Sequence, residues 1–378
     1  WLAYHAHVLP LGYLVVAVDP RSRTSPTLVL NRWRKQGMFI EEWSDIDYLK
    51  PELASNTVAD DAELQVKRDR HRMRQKNFYQ ACLRHAKQQE RSWVTLIDTD
   101  EFLMYNHRGG NDFEAWEARE TKRLKESKYF EKVRIKPSQT PPTPAEEGAM
   151  IQYIRQEQAA GHPFFQRSCI SIPRLQFGAQ ESTAKEREEG VAFSLAIDAD
   201  RLDTLRYRKH AHRQDFVKNG LSKCILDVSR IDTFPRIQSL HRPIKTICTA
   251  PWKDDWDSGL RINHYLGSWE AYSFRDDSRR GGERSWEGWA FKAQDAEETD
   301  DNIRPWISGF VEKHGPKAKE LLQGAGLPRG YQAPDQSKNW TIMFLNDILS
   351  VNETKGNDNR VAFDNFVRDI YKEKKQVP

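Results

Sequence analysis

Trp93-Val94-Thr95-Leu96-Ile97-Asp98-Thr99-Asp100-Glu101-Phe102 runs from apolar residues straight into a pair of carboxylates. The apolar part predicts a buried strand over 93–97, and Phe102-Leu103-Met104-Tyr105 resumes the apolar character. On a strand, residues i and i+2 project to the same side. Asp98 and Asp100 are therefore expected side by side at a strand end, where like charges repel unless a cation joins them. Hard oxygen ligands suit Mg²⁺ or Mn²⁺, and such an ion holds phosphate groups. The competing reading of the same residues is a solvated strand end. Three further D-x-D pairs lie elsewhere. Asp45/Asp47 falls in a polar loop and Asp255/Asp257 in a turn. Asp198/Asp200 reads as a helix N-cap, because Arg201-Leu202-Asp203-Thr204-Leu205 follows it.

Working outward, residues 2–9 read as the tail of a helix closed by Pro10. Residues 13–18 form a continuous apolar run that ends at Asp19-Pro20, the pattern of a strand buried on both faces. Residues 26–36 predict a short helix, capped by Ser25 and stopped by Gly37. A strand over 38–42, a polar loop over 44–62 and a long helix over 62–89 follow. Phe78, Cys82 and Leu83 lie on the buried side of that helix. Strands alternating with helices predict an α/β fold with a mostly parallel sheet. Ligands of such sheets bind at the carboxyl ends of the strands. Asp19 and Asp98 are thus expected on one face. Strand-like runs return at 169–177, 223–228 and 261–265. Residues 112–163, with a Pro-rich stretch over 137–144, read as an insertion. From 303 the pattern is helical (303–313, 317–322, 341–349 and 361–371). The expected division is a domain over 1–295 and a helical extension over 296–378.

The 378 residues are 38% hydrophobic and include 12 tryptophans, enough to bury a sizeable core. The formal net charge is only +4 with both signs interspersed, so no nucleic-acid-binding block stands out. No run of 18 apolar residues is present, so no membrane span is expected within this chain. Cys82, Cys169, Cys224 and Cys248 lack metal-type spacing, and a disulfide is compatible with them. Asn339-Trp340-Thr341 and Asn352-Glu353-Thr354 are N-glycosylation sequons. Two more segments offer chemistry. Asp19-Pro20-Arg21-Ser22 ends a strand and can accept hydrogen bonds from a nucleoside, or is a Pro-containing turn. Arg261-Ile262-Asn263-His264-Tyr265 sets a histidine in an apolar frame, with Arg275, Arg279 and Arg280 beyond it. Those arginines suit a diphosphate, or solvate a loop.

Several blocks in this order resemble the glycosyltransferases of family 92, which have the GT-A fold. They are Trp1-Leu2-Ala3-Tyr4-His5 with Leu11-Gly12-Tyr13, then Arg74 through Leu83, then Trp93 through Phe102. Pro173-Arg174-Leu175-Gln176-Phe177-Gly178 and Asn263-His264-Tyr265 complete the resemblance, which spans about residues 1–290. It implies transfer of a sugar from a UDP-sugar, galactose-like or related, to a glycan hydroxyl with inversion. It implies Mn²⁺ or Mg²⁺ held by Asp98, Asp100 and His264, with Asp98 also near the donor ribose. Asp19 and Ser22 would face the uracil, Arg74 and Gln75 would close that pocket, and Arg275 would meet the diphosphate. Inversion requires a carboxylate base for the acceptor. Glu181, Glu270 and Asp277 are the candidates, with Asp215 beside His210 and His212. The family opens with a strand ahead of its first helix, whereas this chain starts within that helix. The chain is accordingly expected to be the lumenal part of a longer, membrane-anchored Golgi glycoprotein. The expected partners are a nucleotide-sugar donor and a glycan or glycoconjugate acceptor, without nucleic acid.

Two other readings share parts of this pattern. Metal-dependent phosphoryl or nucleotidyl transfer uses the same carboxylate pair, but wants a second acidic pair and a basic surface. A glycan-binding protein with a degenerate transferase site would keep the aromatic residues and lose Asp98, Asp100 and His264.

Overall fold

The computed structural model describes residues 1–54, 63–106, 141–162, 165–188, 202–211, 216–219, 221–248, 259–275, 284–293 and 296–324. Helices Leu2–Val8, Thr27–Arg34 and Leu64–Gln88 and strands β1 (Tyr13–Ala17), β2 (Phe39–Trp43) and β3 (Trp93–Thr95) occupy the expected places. Gly37 stops the second of these helices at φ +89, a conformation that costs glycine little. Ser25 Oγ accepts from Thr27 N–H at 3.2 Å, although Pro26 holds the cap position itself. The chain then gives β4 (Glu101–Tyr105), β5 (Cys169–Ile172), β6 (Arg174–Phe177), β7 (Lys209–Ala211), β8 (Lys223–Asp227), β9 (Leu260–Tyr265) and β10 (Ala296–Thr299).

The protein is mixed α/β, but the mostly parallel sheet expected from the sequence is not what forms. The described strands make three small sheets, ordered β1-β2, β10-β7-β6-β9-β4 and β3-β8-β5. Among the described residues, only β1/β2 and β6/β9 are parallel, and the other five pairings are antiparallel. The β1-helix-β2 unit obeys the local rule that a crossover helix yields parallel neighbours. The Trp93 strand departs from it because its partner is β8, which lies about 130 residues further on. The expected single run over 169–177 breaks at Pro173, which has no N–H to donate to a ladder. Its two halves enter different sheets, with Ile262 N–H donating to Pro173 O at 2.7 Å between them.

One core lies between the Leu2–Val8 helix, β4, β6, β9 and the helix Trp306–His314. A second lies under the long helix, where Tyr79, Leu83 and Ala86 meet β8 and the Cys169–Cys248 disulfide. Of the buried face expected on the long helix, Cys82 and Leu83 are buried and Phe78 is half-buried. Much of the expected insertion lies outside the described residues. Its later part forms the helix Ala149–Ala159, whose Ala149, Met150, Tyr153 and Ile154 belong to the first core. The compact unit runs over Trp1–Tyr331, so the expected division at 295 falls inside it. β10 closes one sheet and Trp306, Ile307 and Phe310 fill the first core. The helices expected over 341–349 and 361–371 lie outside the described residues. Among the described residues, no helix is long and apolar enough to cross a membrane.

Candidate functional site

A cleft of about 820 Å³ opens between β1, the long helix and the turn that follows β3. Its apolar lining includes Leu14, Val16, Trp33, Phe102 and Trp306, and its polar lining includes Asp19, Arg74, Gln75, Asp98, Asp203 and Arg275. Asp19 and Asp98 thus border the same space.

The D-x-D pair does not continue β3. The strand ends at Thr95, and Glu101 N–H donates to Asp98 O at 3.1 Å, closing a turn with Thr99 and Asp100 at its corners. Tyr265 N–H donates to Asp100 O at 2.9 Å and ties the turn to β9. Strand alternation therefore stops before Asp98, and the two carboxylates diverge instead of lying side by side.

Asp98, 53% exposed, takes Lys223 Nζ at 2.9 Å. Lys223 opens β8, whose antiparallel register (Thr95 opposite Ile225) carries it alongside residue 97. Its ammonium is 3% exposed and also lies 3.0 Å from Glu101 Oε2, on a side chain 1% exposed. Burial alone would lower the Lys223 pKa, but Glu101 and Asp98 outweigh burial and hold it charged. Burial likewise pushes the Glu101 carboxyl up, against the pull of Lys223.

Asp100 faces the other way. Arg275 Nη1 meets its Oδ2 at 2.7 Å, and His264 Nε2 lies 3.6 Å from its Oδ1. Burial pushes the Asp100 carboxyl up, yet His264 and Arg275 together hold it well below the usual carboxylate range. The register of β4 with β9 sets Glu101 opposite His264, which brings the histidine to the turn. Gln176, on β6, fixes its ring. The Gln176 amide nitrogen donates to Phe177 O and His264 O, each at 3.1 Å. Its oxygen therefore accepts from His264 Nδ1–H at 2.8 Å. Nε2 is left turned toward Asp100, either protonated or with its lone pair open to a shared cation. A carboxylate oxygen and an imidazole nitrogen each about 2.1 Å from one ion can lie up to about 4 Å apart. The Asp100–His264 spacing fits that. Asp98 is not gathered with them. Among the described residues, the one group of three such side chains with ligand atoms within 4.8 Å of one another is Cys169, Cys224 and Cys248.

Arg74 lines the cleft with Nη2 2.7 Å from Asp45 Oδ1 and Nη1 3.4 Å from Asp19 Oδ2. Tyr48 Oη donates to the same Asp45 oxygen at 2.7 Å, which stiffens the arginine. Gln75 lines the cleft beside it. Asp19 also caps its own turn, accepting from Arg21 N–H at 2.9 Å. Ser22 is exposed, hydrogen-bonds Thr24 O at 2.8 Å and does not line the cleft.

Of the expected bases, Glu181 is exposed, paired with Arg206 and absent from the cleft wall. Glu270 is exposed on the helix Trp269–Phe274 and is likewise absent from that wall. Asp277, like Asp215, Arg279 and Arg280, lies outside the described residues.

No known protein family, curated protein or solved structure matches the chain. Lys223, Gln176, Glu101 and Asp203 were not singled out from the sequence. Lys223 left one signal, a charged residue opening a strand run that is apolar over Cys224-Ile225-Leu226. Gln176 left none, because an amide that orients a histidine is defined only by its neighbour.

Proposed function

We propose that this chain is a metal-dependent glycosyltransferase of GT-A type, acting on a nucleoside diphosphate sugar, UDP-linked, with a glycan hydroxyl as acceptor. The observation that carries the reading is the turn after β3. It presents Asp100 to His264 and to Arg275, and Arg275 in turn lines a cleft whose wall also bears Asp19, Arg74, Gln75 and Asp98, while Asp100 and His264 stand behind that wall. Asp100 and His264 would hold the cation. An imidazole ligand favours Mn²⁺ over Mg²⁺, which keeps to oxygen. When bound, that ion supplies Lewis-acid stabilisation of the departing diphosphate. Arg275 adds a fixed guanidinium beside it, suited to phosphate oxygens. Arg74, held by Asp45, and Asp19 flank the nucleoside side. Trp33 and Trp306 add apolar surface to the cleft lining.

The test is thermal melting with UDP, UDP-sugars and other nucleotides, in Mn²⁺ and in EDTA. A ligand at 100 times its Kd stabilises the folded state by about 2.7 kcal/mol, a rise of several degrees. A UDP-dependent rise abolished by EDTA supports the reading. No rise with any nucleotide sinks it. Glycan binding without nucleotide binding would favour the degenerate, glycan-binding alternative.

A further inference from the structure

Among the described residues, three carboxylates line the cleft: Asp19, Asp98 and Asp203. Two of them are engaged. Asp19 meets Arg74 and its own turn, and Asp98 meets Lys223. The Asp203 carboxylate accepts no hydrogen bond and forms no ion pair among the described residues. We propose that Asp203 is the general base that takes the proton from the acceptor hydroxyl. This inference rests on the transferase reading above.

Its position is fixed by packing. Asp203 opens the short helix Asp203–Arg206, after Leu202 in extended conformation. The next two residues anchor it. Trp306 Nε1 donates to the Thr204 hydroxyl at 3.1 Å, and the Leu205 side chain is wholly buried in the first core. Ser182 N–H donates to Arg206 O at 2.8 Å and fixes the helix's other end. The backbone carrying Asp203 is thus held on three sides where the residue lines the cleft. A base on so rigid a support is aimed without further ordering on binding.

Its electrostatic surroundings suit the task. Burial pushes the Asp203 carboxyl up, and Asp100 acts in the same direction. Arg275, the Trp1 α-ammonium and Arg206 act against that rise. A carboxylate whose proton affinity is raised by burial is a better proton acceptor than a solvated one. Glu181 and Glu270 do not border the cleft, and both are exposed.

The step balances without a further reactant. The acceptor oxygen forms a bond to the anomeric carbon of the donor sugar while its proton passes to a carboxylate oxygen of Asp203. The bond from that carbon to the diphosphate oxygen breaks, and its electron pair leaves with the nucleoside diphosphate. Attack opposite the leaving group inverts the anomeric centre.

The experiment compares the wild type with Asp203→Asn and Asp203→Glu. Asparagine keeps the shape and removes the basic oxygen. Two readouts are taken: the Mn²⁺-dependent rise in Tm with UDP, and UDP released from UDP-galactose, UDP-glucose and UDP-xylose with water as acceptor. The expected result is that D203N keeps the ligand-free Tm and the Mn²⁺–UDP rise, but loses UDP release by about 10²–10⁴-fold. D203E should recover part of it. D203N turnover within about twofold of wild type overturns the assignment. Loss of the UDP-dependent rise together with turnover also overturns it, because Asp203 would then hold the donor. A wild type with neither rise nor turnover refutes the transferase reading itself, a result no Asp203 variant can produce.

Discussion

Replacing Lys223 with methionine tests the electrostatic frame of the cleft. The ammonium is 3% exposed and serves Asp98 at 2.9 Å and Glu101 at 3.0 Å. Glu101 is 1% exposed, and its other oxygen, Oε1, has no hydrogen-bond partner among the described residues. Removing the lysine leaves Glu101 with the Asp98 N–H at 2.9 Å as its one remaining donor among the described residues. Breaking a buried pair from one side costs about 3–5 kcal/mol, because the abandoned charge stays buried. Asp98 adds little, since its exposed carboxylate is solvated and screened. Against a total stability of about 5–15 kcal/mol, this is a large fraction. The assay is equilibrium urea unfolding at pH 7.5, followed by tryptophan fluorescence, of K223M, E101Q and the double variant. The double variant should regain more than half of the K223M loss, because a neutral amide in place of the Glu101 carboxylate leaves no buried charge stranded. A K223M loss below about 1 kcal/mol, or a double variant no better than K223M, would refute the buried-triad reasoning.

Other outcomes are expected. His264→Ala and Asp100→Ala should each abolish the EDTA-sensitive UDP stabilisation seen by thermal melting without unfolding the chain. Gln176→Leu, which frees the His264 ring, should weaken it by about 10–100-fold in metal affinity, measured by Mn²⁺ titration with UDP present. Cys169→Ser with Cys248→Ser opens a loop with a sequence separation of 79 and should cost about 4.5 kcal/mol in urea unfolding. The native bridge should be mapped after acid trapping, because the Cys224 sulfur lies within 4.8 Å of both partners. Gly309→Ala should destabilise the fold by at least about 1–3 kcal/mol in the same assay, since its Cβ would sit 1.7 Å from Ala145 O. Burial holds the His241 imidazole down at about 4, so the unfolded chain takes up that proton first as pH falls below about 6.5. Stability should therefore be full above about pH 6.5 and decline toward about pH 4. His241→Gln should flatten that slope in melting curves, and an unchanged slope would count against the cause.

Local chemistry made much of this protein legible from its sequence. The apolar runs at Tyr13 and Trp93, the periodic stretch ahead of Gln89 and the stop at Gly37 each report on a few neighbouring residues. β1, β3, the long helix and the end of the Thr27–Arg34 helix stand where those signals put them. The sequence also marked Asp19, Asp98 and Arg74, which border one cleft. Tertiary structure decided the rest, because pairing partners are chosen by burial over the whole chain and not by spacing along it. It gave β3 an antiparallel neighbour in β8 and turned the expected parallel sheet into three small ones. It also bent the D-x-D into a turn, sending Asp98 to Lys223 and Asp100 to His264 and Arg275. Asp203 became a cleft residue only once Trp306 and Leu205 had pinned its helix, and no local pattern marks such a position. A carboxylate's role depends on which charges share its low-dielectric surroundings, and that neighbourhood exists only in the folded chain.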